Sequence, residues 1–246
     1  AYKYLGLTLT PTLSVARALT DFATKAKHKV ISTLRALKKI GCADWEVFIQ
    51  IFDTQVQPAL LYASEIWGMT RVESVERVPL FALKRCLAIS EKTPSMMVYG
   101  ETGRFPLYVN AHRNCVRYWL RIISMREDKL PKQAYHTSVT LAEQGKQSWA
   151  RKIKDALFRY GFGEAWFNQG VGDNGHFLRE FSLRLRDCFQ QDWHAKVESS
   201  DRFTDYRLLK SDFGICDHIK EIPPFMRGAF LRLRLGVSSL KCHANR

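Results

Sequence analysis

No lysine or arginine occurs between Lys39 and Arg71, and no aspartate or glutamate between Arg104 and Arg126. In a chain of 246 residues with a formal net charge of +14, gaps of that length mark segments with different jobs. Long apolar runs are also missing. The longest stretch without a charge, Tyr4 to Ala16, is thirteen residues, against the roughly 20 needed to span a bilayer, so the chain reads as soluble. There is no N-x-S/T sequon. The six cysteines lie far apart in a chain too large to need disulfide staples, which reads as reduced thiols in an intracellular protein, nuclear or cytoplasmic. No G-x-S-x-G, H-E-x-x-H, Walker loop or pair of adjacent aspartates is present. Together with a start at Ala1 inside an apparent strand and an end in a basic run, this reads as a fragment whose chemistry belongs elsewhere.

What is present is apolar and basic. A 46 % apolar and 12 % aromatic content is ample for a folded core. The 38 Lys+Arg against 24 Asp+Glu favour a polyanionic partner. The excess is concentrated: residues 1–39 hold eight cations and one anion, and 104–126 and 222–246 each hold five cations and no anion.

The charge-poor stretch from Asp44 to Trp67 predicts a central helix, apolar nearly all round, with Asp44 as N-cap and Gly68 as C′ residue. Pro58 should kink it or split it in two. Before it, residues 2–13 alternate as a strand pair interrupted by Pro11. Ser14 to Ile40 follows with Leu19, Phe22, Ala26, Val30, Leu34 and Leu37 on one helical face, ended by Gly41. Val72 to Ile89 forms a third helix with Pro79 in its interior. Thr93 and Pro94 read as an N-cap and first helical residue, placing a boundary near 90–105. Helices are expected at 106–125, 131–143, 147–160, 174–198, 201–210 and 224–235. The fold class is mainly α: a short N-terminal β-hairpin remnant (1–13), a three-helix thumb-like bundle (14–92) and a second helical subdomain (93–246).

Two motif matches carry little. Gly170 to Gly175 has the letters of a dinucleotide fingerprint but no strand before it. Cys216, His218, Cys242 and His243 match no paired zinc spacing, so separate reduced thiols and no metal site are expected. The cations are more informative. Lys25, Lys27, Lys29 and Arg35 lie away from the apolar face of the first long helix. Arg113, Arg117 and Arg121 stack at steps of four in a segment without an acid to pair with. That ladder is either a solvated face or a set of phosphate contacts. Tyr108, Tyr118 and Trp119, interleaved with it, either stack on bases or pack in a core. Arg232 and Arg234, in the acid-free stretch 222–246, complete the candidate nucleic-acid-binding set.

Several stretches, taken in order, resemble the C-terminal part of a reverse transcriptase from a non-LTR (LINE-type) retrotransposon. Tyr2-Lys3-Tyr4-Leu5-Gly6 looks like the YLG motif that closes the palm. Gln57 to Trp67, QPALLYASEIW, is similar to the LLYGSEIW stretch of the thumb, with Ala63 where the family often has glycine. Val98 to Leu107, VYGETGRFPL, and Ser199 to Phe203 are similar to the tail of one branch. The resemblance implies a thumb and helical linker that grip template RNA and primer DNA by sequence-independent phosphate contacts. It places the catalytic aspartates upstream of Ala1, and a zinc knuckle after residue 246. No cofactor is expected in this fragment, with Mg2+ serving the parent RNA-directed DNA polymerase, so the fragment is expected to be inactive alone. A different class of reading is a decayed or domesticated element fragment acting as a helical protein-interaction module, which an exposed apolar patch would favour.

Overall fold

The computed structural model describes the backbone of residues 2–4 and 7–9 and the full residues 15–237. The expectations placed on Leu5, Gly6, Pro11, Ser14, Cys242 and His243 lie outside the described residues. The fold is mainly α-helical. Tyr2–Tyr4 (β1) and Leu7–Leu9 (β2) run antiparallel with Lys3 opposite Thr8.

The chain divides into two compact units that interleave in sequence. The first comprises Ala1–Leu60, Val72–Pro106 and Phe189–Arg246; the second comprises Leu61–Arg71 and Leu107–Cys188. A junction at residues 92/93 is not among these divisions.

In the first unit, α1 (Ala16–Lys39) buries Ala18, Leu19, Ala23, Ala26, Val30 and Leu37, a stripe at steps of three and four. Its end is a Schellman turn: Gly41 at φ 70° donates to the Lys38 carbonyl, and Cys42 donates to that of Leu37. The helix packs along α5 (Glu73–Cys86) and against α2 (Trp45–Ile51) and α3 (Gln57–Leu60). Pro79 is buried inside α5, which continues through it. A helix-interior proline forfeits one backbone bond and costs about 3 kcal/mol or more, so packing must offset that loss.

The expected helix from Asp44 to Trp67 is not one helix. Asp44 does cap α2, its carboxylate accepting from the Val47 amide at 3.0 Å. Phe52–Val56 then forms a π-helical turn, α3 follows, and residues 61–63 turn before α4 (Ser64–Trp67). Nor is the segment apolar-buried all round. Trp45, Phe48, Phe52, Val56 and Leu60 form one buried stripe, while Val47, Tyr62 and Ile66 are exposed. The left-handed residue is Ala63 at φ 54°, not Gly68, whose φ is −63°. Gly68 is needed for space: a Cβ there would meet the Ala111 carbonyl oxygen at 2.7 Å.

A further core in the first unit joins Trp45, Leu83, Leu87, Met97, Val98, Trp193, Tyr206, Ile219 and Leu231. It is built on α6 (Ser95–Thr102), the later part of α11 (Asn174–Ser199), α12 (Thr204–Leu209), α13 (His218–Glu221) and α14 (Pro224–Arg234). The N-cap of α6 is Pro94, one residue later than expected, and the buried Thr93 hydroxyl has no partner among the described residues. Gly100 lies against Trp193 and the Tyr206 hydroxyl, where a Cβ would sit 2.6 Å from each.

In the second unit, α7 (Leu107–Ile123) packs on α4, and α8 (Leu130–Glu143) and α9 (Trp149–Arg159) pack together. Ser64 is fully buried. Its hydroxyl accepts from the Asn114 amide at 2.8 Å, and its carbonyl accepts from the Cys115 thiol at 3.0 Å. The letters Gly170 to Gly175 follow the short α10 (Gly163–Phe167) and run into the start of α11, so no strand precedes them and the fingerprint has no βα turn.

Candidate nucleic-acid interface

Since the buried stripe of α1 takes one side of the helix, its many cations are left for the rest. Arg17, Lys25, Lys29, Arg35, Lys38 and Lys39 are exposed. Lys27 is half-buried, its ammonium 5.8 Å from the centre of the Phe81 ring on α5. Among the described residues, none of these cations is in an ion pair. Asp21 and Lys25 stand four residues apart, but no bridge joins them. Lys38 and Lys39 also lie in the last turn, where positive charge complements the helix dipole. The result is a basic helix face, exposed over more than four turns, with one acid on it.

The neighbouring helix handles its own charges differently. On α5, Arg77 pairs with Glu73 at 2.5 Å, and Arg85 pairs with Glu91 at 2.8 Å. Lys84 donates to the Glu91 carbonyl at 2.8 Å, and burial holds its pKa below the ordinary lysine value. The cations of α5 thus have acids or carbonyls at hand, whereas those of α1 face solvent. A solvated face whose cations are not paired with acids suits phosphates, which hold register without reading sequence.

In the second unit, Arg117 and Arg121 are exposed and Arg113 is half-buried, none of them in an ion pair among the described residues. The aromatic residues beside the ladder split. Trp119 is fully buried, its indole N–H donating to the Tyr135 hydroxyl at 3.1 Å and its ring stacked on Trp166. It belongs to the core and cannot stack on a base. Tyr118 is half-buried and meets Trp149 edge-on, and Tyr108 lies 5.9 Å from the Arg71 guanidinium. His112, on the same helix, is held neutral, its pKa lowered to about 4 by burial and then by Arg159.

The last two sequence candidates separate. Arg232 is exposed and donates to the Ala88 carbonyl at 3.1 Å. Arg234 is removed from the phosphate-binding set. Its Nε meets the two carboxylate oxygens of Glu101 at 3.1 and 3.2 Å, and its Nη2 donates to the Leu209 carbonyl at 2.7 Å. The reason is burial. Glu101 is only 1 % exposed, and a carboxylate taken that far from water needs a counter-charge. Burial alone would raise the pKa of Glu101, but the adjacent His218 ring and the Arg234 guanidinium outweigh it and leave the carboxyl below its ordinary range.

Sequence reading missed the meeting of Glu101, Cys216, His218 and Arg234 in the first unit. Nothing local announces it, because Glu101 stands more than a hundred residues from its partners. No helix among the described residues is long and apolar enough to cross a membrane. Comparison with protein-family models, with curated proteins and with solved structures finds no match for this chain.

Proposed function

We propose that the chain binds nucleic acid, with the exposed face of α1 tracking a phosphate backbone through Lys25, Lys29, Arg35 and the basic last turn. The supporting observation is the density of unpaired cations on that helix, beside a helix whose own cations are engaged. Such contacts position a duplex without selecting its sequence. Together with the motif order YLG, LLYASEIW and VYGETGRFPL, this favours a thumb and helical linker of a non-LTR reverse transcriptase gripping template RNA and primer DNA. In that reading β1 and β2 are the closing edge of the palm, and Arg113, Arg117 and Arg121 are a second set of phosphate contacts. The test is the affinity for a primed RNA template across a salt series. Each neutralised phosphate steepens the fall of log K with log salt by about 0.7 to 0.9. Five contacts on α1, from Lys25, Lys29, Arg35, Lys38 and Lys39, therefore give a slope of about −4, and a slope near zero refutes the proposal.

A second reading, a helical protein-interaction module, draws on other residues. Phe225, Met226 and Leu233 of α14 and Leu208 of α12 are half or more exposed. Salt-independent binding to a protein partner, with no affinity for nucleic acid, would favour that module.

A further inference from the structure

In the first unit, Glu101 on α6, Cys216 in the segment that follows α12, and His218 at the start of α13 each present one metal-binding atom. All three atoms lie within 4.8 Å of one another. Backbone contacts bring them together. The Cys216 amide donates to the Glu101 carbonyl at 2.9 Å, Ile215 bridges to Thr102, and the Ile219 amide donates to the Cys216 carbonyl. His218 Nε2 lies 2.7 Å from Glu101 Oε2, yet it is buried without a partner in hydrogen-bonding geometry. The approach is a contact rather than an aligned bond. The imidazole nitrogen, the thiol and the carboxylate thus converge on one buried point.

We propose that Glu101, Cys216 and His218 form a binding site for one Zn(II)-like divalent ion that clips α6, the 210–217 segment and α13 together. The donor set is one thiolate, one imidazole and one carboxylate, a combination that suits zinc and not the oxygen-seeking Mg2+ or Ca2+. Three protein ligands leave a fourth position for water. Bonds of about 2.0 Å to nitrogen and oxygen set tetrahedral neighbours about 3.3 Å apart, so the His218 and Glu101 side chains part slightly to admit the ion. Arg234 does not block it. One oxygen of Glu101 coordinates while the other keeps the guanidinium, which then orients the ligand from outside. Burial and then Glu101 hold the Cys216 thiol above its ordinary pKa, so the metal-free chain carries the thiol and binding displaces one proton. This site departs from the absence of metal expected from spacing, because its third ligand is a carboxylate distant in sequence. It is independent of the nucleic-acid reading.

The test is Co(II) titration of the reduced, chelator-stripped 246-residue chain, followed by Zn(II) displacement, with melting monitored by circular dichroism. The expected result is one equivalent bound, a thiolate-to-cobalt charge-transfer band that Zn(II) abolishes, and a higher melting temperature with Zn(II). Cys216→Ser should lose the band and His218→Asn should weaken binding at least tenfold, each in a chain that still melts cooperatively. Cys242→Ser should leave the band intact. No band at one equivalent, or a band that survives Cys216→Ser, overturns the site; loss of the band in Cys242→Ser assigns the thiolate elsewhere and overturns it equally. If His218→Asn does not fold, the Cys216→Ser and Cys242→Ser pair decides the matter alone.

Discussion

Reversing Lys25 and Lys29 to glutamate tests whether α1 touches nucleic acid. The two side chains stand one turn apart on the exposed side of the helix, beside the buried Ala26 and Val30. A unit charge about 5 Å from a phosphate in water is worth roughly 0.8 kcal/mol. Screening at physiological salt cuts that to about 0.4 kcal/mol. Each Lys→Glu change alters the charge by two units, so the pair loses about 1.6 kcal/mol, or roughly fifteenfold in Kd. Folding should barely respond, since exposed substitutions usually stay within about 0.5 kcal/mol. The assay is equilibrium binding of a primed RNA template at fixed salt, with thermal melting alongside. A Kd within a factor of two of the parent, in a double variant that melts like the parent, would refute the grip. A large loss accompanied by a lower melting temperature would point to misfolding, and Lys25→Gln with Lys29→Gln, expected to cost about half as much free energy, would then resolve the two.

The ladder offers a separate measurement: changing Arg113, Arg117 and Arg121 together to alanine should flatten the salt slope of RNA binding by roughly 1 to 3, and an unchanged slope with an intact circular dichroism spectrum returns it to a solvated face. His112 makes stability depend on pH. Its ring takes a proton near pH 4 in the folded chain, against an ordinary value of 6.5. The unfolded chain therefore binds more protons between those values, and stability falls as pH drops through that window, by up to about 3 kcal/mol. Subtracting the pH profile of a His112→Leu variant from that of the parent should isolate the slope, and superimposable profiles would show that the ring is not buried neutral. Ala63 sits at φ 54°, where a Cβ costs roughly 1 to 2 kcal/mol and glycine costs nothing. Ala63→Gly should therefore stabilise the chain by up to about 1 kcal/mol after glycine's greater unfolded freedom is counted, and a loss of stability in urea melts would refute the left-handed turn.

Much of the helical content was legible because it depends on local periodicity. The stripe Leu19, Ala26, Val30 and Leu37, the terminator Gly41 and the cap Asp44 all act within a few residues, so sequence alone specifies them. The helices at 130–143, 149–159, 174–199 and 224–234 match their expected ranges within two residues for the same reason. The exposure of Lys25, Lys29 and Arg35 was legible too, as the complement of that stripe.

What required the tertiary structure depends on groups distant along the chain. Sequence placed the interruption at Pro58, but α3 runs through that proline and the helix ends at residues 61–63; nor could sequence show that Phe52–Val56 widens into a π turn keeping Phe52, Val56 and Leu60 on one buried side, or that the left-handed turn falls on Ala63. Arg234 looked like any other cation in a basic tail. Only the fold carries Glu101 into the interior beside it, and once there the cost of an unpaired buried carboxylate assigns that arginine its role. Trp119 shows the same limit from the apolar side: its spacing on α7 allowed stacking or burial, and the hydroxyl of Tyr135, sixteen residues away, decided for burial by accepting the indole N–H.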